Sequence, residues 1–199
     1  MTKNRLFLIL PLFLVLAAGI FRYLKLAGWV SSDVWTNFAP WMALAFTGTL
    51  VISRRMPFWL TPALLILVDL SARGLQTVLH GEAIAVYACY ALAAWIASGQ
   101  RGRLGLLGSL LGVIGCTFGF YLITNTISWI VDPGYVKNLS GWMQALTSGL
   151  PGLPPTTIFL YKSLLSDLAF SCMLLAAYNT EATLRREKTI PVLGSLAAA

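Results

Sequence analysis

One stretch of the chain, from Leu104 to Val131, contains no charged residue. As an α-helix it would be about 40 Å long, which exceeds the roughly 30 Å hydrocarbon core of a bilayer. Further apolar runs follow one another with short polar breaks. The sequence therefore predicts an all-α polytopic membrane protein, a bundle of about six transmembrane helices. The predicted spans are about 6–24, 37–53, 58–72, 82–98, 104–131 and 162–179, followed by a tail over 180–199.

The composition agrees with lipid as the solvent of this chain. Of 199 residues, 58% are hydrophobic and 11% are charged, whereas soluble domains carry about 25% charged residues. Six spans use up the length, so we expect one transmembrane domain over 1–199. The start resembles a signal peptide, with Lys3 and Arg5 before Leu6, but the apolar run continues past Gly19. We expect it to be retained as a helix.

The distribution of basic residues predicts the orientation of the bundle. The net charge is +7, and the basic residues fall in short blocks between apolar runs, which is typical of membrane topology and not of a nucleic-acid-binding surface. With six spans, nine of the fourteen Lys and Arg lie on the side of both termini. This asymmetry predicts a multi-pass protein of the cell (inner) membrane with cytoplasmic termini. Long loops 1 and 5 then face outward.

Loop 5, over 132–161, is rich in Pro, Gly, Thr and Ser but carries few charges. Long loops in compact domains are usually functional or disordered. Several aromatic residues favour order, and Gly141–Ser148 is a candidate short helix. We interpret the loop as an ordered cap on the outer end of the bundle, and we expect the tail to be loose beyond its basic start.

Polar and aromatic side chains near the outer ends of the spans form the candidate binding site. Intramembrane polar residues are costly and commonly mark a pathway or site. Counting residues along each span places four polar residues in the outer third of the membrane, where we expect them to converge. These four are Asn37, Asp69, Asn125 and Asp167. The predicted solute-binding residues are Asn37, Asp69, Asn125, Trp129, Tyr135, Trp142 and Asp167.

Each of these residues also has a structural interpretation. Asp69 and Arg73 are four residues apart and would pair on one helix face, and Asn37 would cap a helix. Asp167 would pair with Lys162 or accept from Ser163. Asn125 would bond between helices, and the aromatic residues would belong to the interfacial belt.

The sequence offers no catalytic, metal or cofactor motif. His80 is the only histidine, and Cys89, Cys116 and Cys172 each lie within an apolar run. The HExxH, GxSxG and phosphate-loop GxxxxGK[ST] patterns do not occur. We therefore predict that the protein is not an enzyme and holds no cofactor or metal. Any transport would draw energy from a partner or an ion gradient.

Two segments resemble a family of uncharacterised bacterial six-helix membrane proteins that are classed with transport proteins. The first is Asn37–Phe46, which looks like the NF-x-P-x-x-A-L-A opening followed by a hydrophobic residue. The second set runs through the later part of the chain. It comprises Thr124-Asn125, Trp129, Tyr135, Gly141, Gly149-Leu150-Pro151, Leu165-Ser166-Asp167-Leu168 and Phe170.

That family in turn resembles the substrate-binding S components of energy-coupling-factor (ECF) transporters. The resemblance implies six helices with cytoplasmic ends, an outward pocket capped by loops for a vitamin or metal ion, and an energising membrane module as partner. The first span departs from the pattern, because it has Ala17-Ala18 in place of an Ala-xxx-Ala pair.

Three functions follow as hypotheses from these observations. The first is a membrane transport protein that binds a small solute in an outward-facing pocket. The second is an accessory or assembly subunit, favoured by the pairs Gly108/Gly112 and Gly115/Gly119, whose spacing permits close helix packing. The third is an intramembrane enzyme that uses Asp69 and Asp167 on a lipid-linked substrate.

Overall fold

Every regular element in the described part of the chain is a helix. A computed structural model describes residues 9–30, 40–52 and 57–193. We number the helices in chain order. They are α1 Ile9–Leu26, α2 Trp41–Val51, α3 Leu60–Arg73, α4 Leu75–Val78, α5 Gly81–Gly99, α6 Leu106–Val131, α7 Leu139–Leu146 and α8 Thr156–Leu184.

Four of these helices, α1, α5, α6 and α8, are long and apolar enough to cross a membrane. Each of the six predicted spans overlaps a helix, but the second and third overlap shorter ones. Helix α3 has 14 residues and α2 is about 17 Å long, both less than a bilayer core requires. The part of the second predicted span before Pro40 lies outside the described residues. The helical nature of the chain is thus confirmed, and the described residues contain four candidate membrane-spanning helices.

The sixth predicted span, 162–179, is too short at both ends. Helix α8 begins at Thr156, directly after Pro155, and has 29 residues. Proline is compatible with a helix start because the first amides need no helical partner. The earlier start adds about 9 Å to the helix, so residues of its central part lie deeper in the bundle than the sequence predicts.

Helix α2 forms the centre of the molecule. Residues Trp41 to Thr49 are all buried, and α2 contacts α5, α6 and α8. The ring of Phe46 lies against α6 at Gly112, where an added Cβ would be 2.3 Å from the ring. Glycine at this position therefore lets a bulky side chain of α2 reach the α6 backbone. Gly115 and Gly119 face open space instead.

Carboxylates of α8 satisfy the amide groups that begin two other helices. Glu181 accepts from the amides of Ile9 and Leu10 at 2.9 and 2.8 Å and pairs with Arg185 at 2.6 Å. Asp167 does the same for the amide of Ala43 in α2. A helix start has unpaired N–H donors, which are costly in an apolar interior. The contact of Ile9 with Glu181 also fixes α1 and α8 as antiparallel neighbours.

The tail after α8 folds back onto the bundle, in contrast to the predicted loose segment. The side-chain amide of Asn179 bonds both the N–H and the C=O of Ile190. The carbonyls of Pro191 and Val192 then accept from the first amides of α6. Residues 194–199 lie outside the described part, so the correction applies to the tail up to 193.

Candidate functional site

A cavity of about 510 Å³ lies between α1, the start of α2, the end of α3 and α8. We call it the cleft. Its lining residues come from segments that are far apart in sequence. They are Leu14, Ala17, Ala18, Phe21, Arg22, Lys25, Leu26, Pro40, Trp41, Arg73, Phe159, Ser163, Phe170 and Met173.

The cleft has a basic end and an apolar end. On α1 its lining extends from Leu14 to Leu26, about 18 Å along the helix axis. The three basic lining residues, Arg22, Lys25 and Arg73, come from the last turns of α1 and α3. Toward the other end the walls are aliphatic, aromatic and thioether groups. None of the described lining residues is acidic.

Arg22 is held in place at the basic end by Asp69 and Trp41, and Tyr87 in turn supports Asp69. Its Nε and Nη2 donate to the two carboxylate oxygens of Asp69 at 2.5 and 2.7 Å. The hydroxyl of Tyr87 donates to the same carboxylate at 3.0 Å. The guanidinium carbon also lies 4.9 Å from the ring centre of Trp41, within the range of a cation–π contact. A paired arginine in this arrangement is positioned before any ligand arrives.

Arg73 is the exposed basic group of the cleft. It ends α3, and Gly74 follows with a φ of +80° that turns the chain out of the helix. Within the described ranges Arg73 forms no ion pair. The proposed pairing of Asp69 with Arg73 is therefore wrong, because Asp69, 6% exposed, faces Arg22 and Tyr87 instead.

Asp167 lies in the middle of the bundle, about 17 Å along α8 from its first residue. The residue is 2% exposed, and its carboxylate accepts from Thr117 Oγ1 at 2.8 Å and from the amide of Ala43 at 3.0 Å. Neither Lys162 nor Ser163 is its partner. The residue joins α2, α6 and α8 and does not line the cleft.

Asn125 and Trp129 lie near the end of α6, and Tyr135 and Trp142 lie in the loop that follows it. Asn125 donates to the carbonyl of Tyr121 in its own helix at 2.8 Å and forms no bond to another helix within the described part of the chain, so the predicted interhelical bond is not found there. The indole of Trp129 donates to Val136 O, and that of Trp142 donates to Thr126 Oγ1, both at 2.9 Å. These bonds attach the loop to α6.

We call residues 132–155 the loop cap, since they are ordered over the end of α6 as predicted. Its short helix is α7, which begins and ends two residues before the predicted segment. Tyr121 donates to the carbonyl of Leu146, and Asn138 accepts from the amide of Gly141 at 2.9 Å. Tyr135 is buried here, and this burial, with Asp132 nearby, raises the pKa of its hydroxyl.

The predicted site residues therefore do not meet in one pocket. None of those that the structure describes lines the cleft, and Asp69 reaches it only through Arg22. Asn37 lies outside the described residues. The basic groups of the cleft were missed, although Arg22 carried a signal. It follows an apolar run within the first predicted helix, where a charge is unusual.

The chemistry available in the cleft is recognition by charge and apolar contact. Among the described residues no group of three or more His, Cys, Asp or Glu side chains is arranged to hold a metal ion. Arginine offers five N–H donors, and Arg22 gives two of them to Asp69. The basic end thus suits an acceptor-rich group, and the remaining walls suit an apolar body.

Comparison with known proteins identifies a family but no characterised relative. Residues 2–189 match the family described as "Family of unknown function (DUF6580)", so the chain belongs to that family. No curated protein matches the chain. No solved structure matches it either.

Proposed function

We propose that this chain is a membrane transport protein that binds a small solute in the cleft between α1 and α8. The observation that carries the proposal is the cleft itself, a space of about 510 Å³ with apolar walls and three basic groups at one end. Ligand sites are typically concave, mostly apolar and furnished with a few placed polar groups. The volume lies within the range usual for such sites.

The proposed orientation places the basic end of the cleft toward the outside of the inner membrane. The excess of Lys and Arg on the side of both termini favours cytoplasmic termini. Helix α1 then runs outward, and the antiparallel α8 begins at the outer surface. The basic residues Arg22 and Lys25 lie in the last turns of α1, where an external solute would arrive first.

The proposed architecture retains six helices, with α2 and α3 as short members of the bundle. In this respect it resembles the S components of ECF transporters, whose solute pockets open outward. The chain has no phosphate-binding loop for ATP. Transport would therefore depend on an energising membrane module or on an ion gradient.

The test is native mass spectrometry of the purified protein, with and without a blocked cleft. Ala18 lines the cleft, and Ala18→Phe would fill part of it. Ala88→Phe is a matched control, because Ala88 is exposed on α5 and does not line the cleft. We expect a small molecule to accompany the wild type and the control at similar occupancy.

Loss of that molecule from the Ala18→Phe variant, at unchanged thermal stability, is the expected result. Ala17→Phe, at a neighbouring lining position, provides a second blocked variant if Ala18→Phe does not fold. Equal occupancy in the wild type and in folded blocked variants would overturn the proposed site. A wild type that carries no small molecule, and whose stability responds to no added solute, would overturn the proposed function.

A further inference from the structure

We infer that the ligand of the cleft is an anionic amphiphile, a molecule with a carboxylate or phosphate head and an elongated apolar body. This inference rests on the proposed function, because it specifies the solute of the same site. The head would lie among Arg22, Lys25 and Arg73. The body would extend between α1 and α8 toward Phe170 and Met173.

The first argument is charge. Three cations line one end of the cleft, and no acidic side chain of the residues that the structure describes lines it. Asp69 pairs with Arg22. Arg73 forms no ion pair within the described ranges, so its positive charge is not balanced by a carboxylate of the described structure. In surroundings of low dielectric this charge favours an anion and disfavours a cation.

The second argument is the fixed geometry of Arg22. Asp69 and Trp41 hold its guanidinium from two sides. Two of its five N–H donors are used by Asp69, and the others have no partner among the described residues. Charge-assisted bonds from arginine to carboxylate or phosphate are among the strongest hydrogen bonds in proteins. A head group would gain them without reorganising the side chain.

The third argument is the composition of the walls beyond the basic end. Among the described lining residues, Ser163 is the one uncharged residue with a side-chain hydroxyl or amide group. A sugar or a nucleoside would leave many of its own polar groups unpaired there, at a cost of a few kcal/mol for each group. An alkyl, polyprenyl or fused-ring body has no such cost and gains from burial.

The fourth argument is shape. The lining of α1 extends about 18 Å from Leu14 to Leu26, and that of α8 extends from Phe159 to Met173. Because the helices are antiparallel, the apolar parts of both linings lie side by side. The space is elongated along the helices, which matches a head and a tail better than a compact polar solute.

The test uses three probes that separate head from tail: n-decyl phosphate, n-decanol and inorganic phosphate. The protein is held in nanodiscs of neutral phosphatidylcholine, and binding is measured by calorimetry below the micellar range of the probes. We expect n-decyl phosphate to bind at least about ten-fold more tightly than n-decanol. Inorganic phosphate alone should bind too weakly to measure.

Charge-removing variants assign the head to the basic end. Arg73→Gln should weaken n-decyl phosphate binding about ten-fold and leave n-decanol binding unchanged. Lys25→Gln is a second variant with the same expected pattern. Arg103→Gln is the matched control, since Arg103 is an exposed residue of the turn before α6, outside the cleft.

Two sources of the ligand give different results in nanodiscs that also contain phosphatidylglycerol. If anionic bilayer lipid is the natural ligand, it should compete with n-decyl phosphate in the wild type. If the ligand is an external solute, the lipid should leave probe binding unchanged. Both results support the anionic amphiphile.

Other outcomes would overturn the inference, and they distinguish its failure from the failure of the proposed function. Equal binding of n-decanol and n-decyl phosphate, with no effect of Arg73→Gln or Lys25→Gln, would show that the head is not recognised. The cleft would then remain a solute site if Ala18→Phe still abolished binding. Probe binding that the blocked variants do not reduce would overturn the inference and the proposed site together.

Discussion

The cleft and the loop cap contain the same kinds of residues, but the polar groups of the loop cap are bonded within the protein, whereas those of the cleft line a space. Both combine polar groups and tryptophan at the ends of apolar helices. At the loop cap, Trp129 of α6 donates to Val136 of the loop and Trp142 of the loop donates to Thr126 of α6, so both indole donors are occupied. In the cleft, Arg22 is anchored on one side and lines a space on the other.

This difference shows that the partner of a polar residue, and not its presence in a span, distinguishes a structural role from a binding role. Asp167 is the clearest case. It is a buried acidic residue, as expected of a binding site, but its carboxylate oxygens accept hydrogen bonds from Ala43 and Thr117. Arg73 lies in a less conspicuous position, at a helix end, yet it faces the cleft. Buried charges in membrane proteins therefore need their partners identified before a function is assigned.

Of the substitutions proposed for the two regions, Gly141→Ala should cause the larger loss of unfolding free energy, and it should disturb the loop cap alone. A Cβ at this position would lie 1.9 Å from the backbone oxygen of Val136, and backbone atoms cannot move aside as a side chain would. We expect the variant to lose about 3 kcal/mol of unfolding free energy. Reversible unfolding in mixed SDS micelles measures this loss, and limited proteolysis should show faster cleavage within 132–155.

Gly115→Ala is the matched control for that substitution, because open space surrounds Gly115 on α6. It should unfold at the same SDS fraction as the wild type. Ligand binding in the cleft should remain unchanged in both variants if the two regions are independent. A loss of binding in folded Gly141→Ala would show that the loop cap takes part in the site.

Asp69→Ala should cause a smaller loss of unfolding free energy, and it should disturb the basic end of the cleft. It removes the bidentate partner of Arg22, whose side chain is 25% exposed, and the acceptor of Tyr87. For a partly buried pair with hydrogen bonds we expect about 2 kcal/mol. The measurement is a double-mutant cycle with Arg22→Gln in the same unfolding assay. Strictly additive losses would mean that the pair contributes no coupling energy.

The helical architecture was predictable because apolar runs and basic breaks are local properties of the sequence. The start of α8 was not, since Thr156–Tyr161 follow a proline-rich loop and lack the uniform hydropathy of a span. That error moved Asp167 about 9 Å too near the surface. The predicted convergence of Asp167 with Asp69 and Asn125 depended on that depth.

The binding site was less predictable because it depends on pairing between distant segments. Arg22 and Asp69 are 47 residues apart, and nothing local distinguishes that pair from the expected Asp69–Arg73 pair. The cleft lies between α1 and α8, near the two ends of the chain, and its apolar lining resembles any lipid-facing surface in sequence. Only packing shows which of those faces enclose a space.

The most direct test of the cleft as the ligand site is photoaffinity labelling with a diazirine-tagged n-decyl phosphate, followed by peptide mapping. We predict that the label attaches to α1 between Leu14 and Leu26 and to α8 between Phe159 and Met173, and that excess n-decyl phosphate suppresses it. Competable labelling concentrated on Asn125, Trp129 or α7 instead would contradict the account and place the site at the loop cap and the adjoining end of α6.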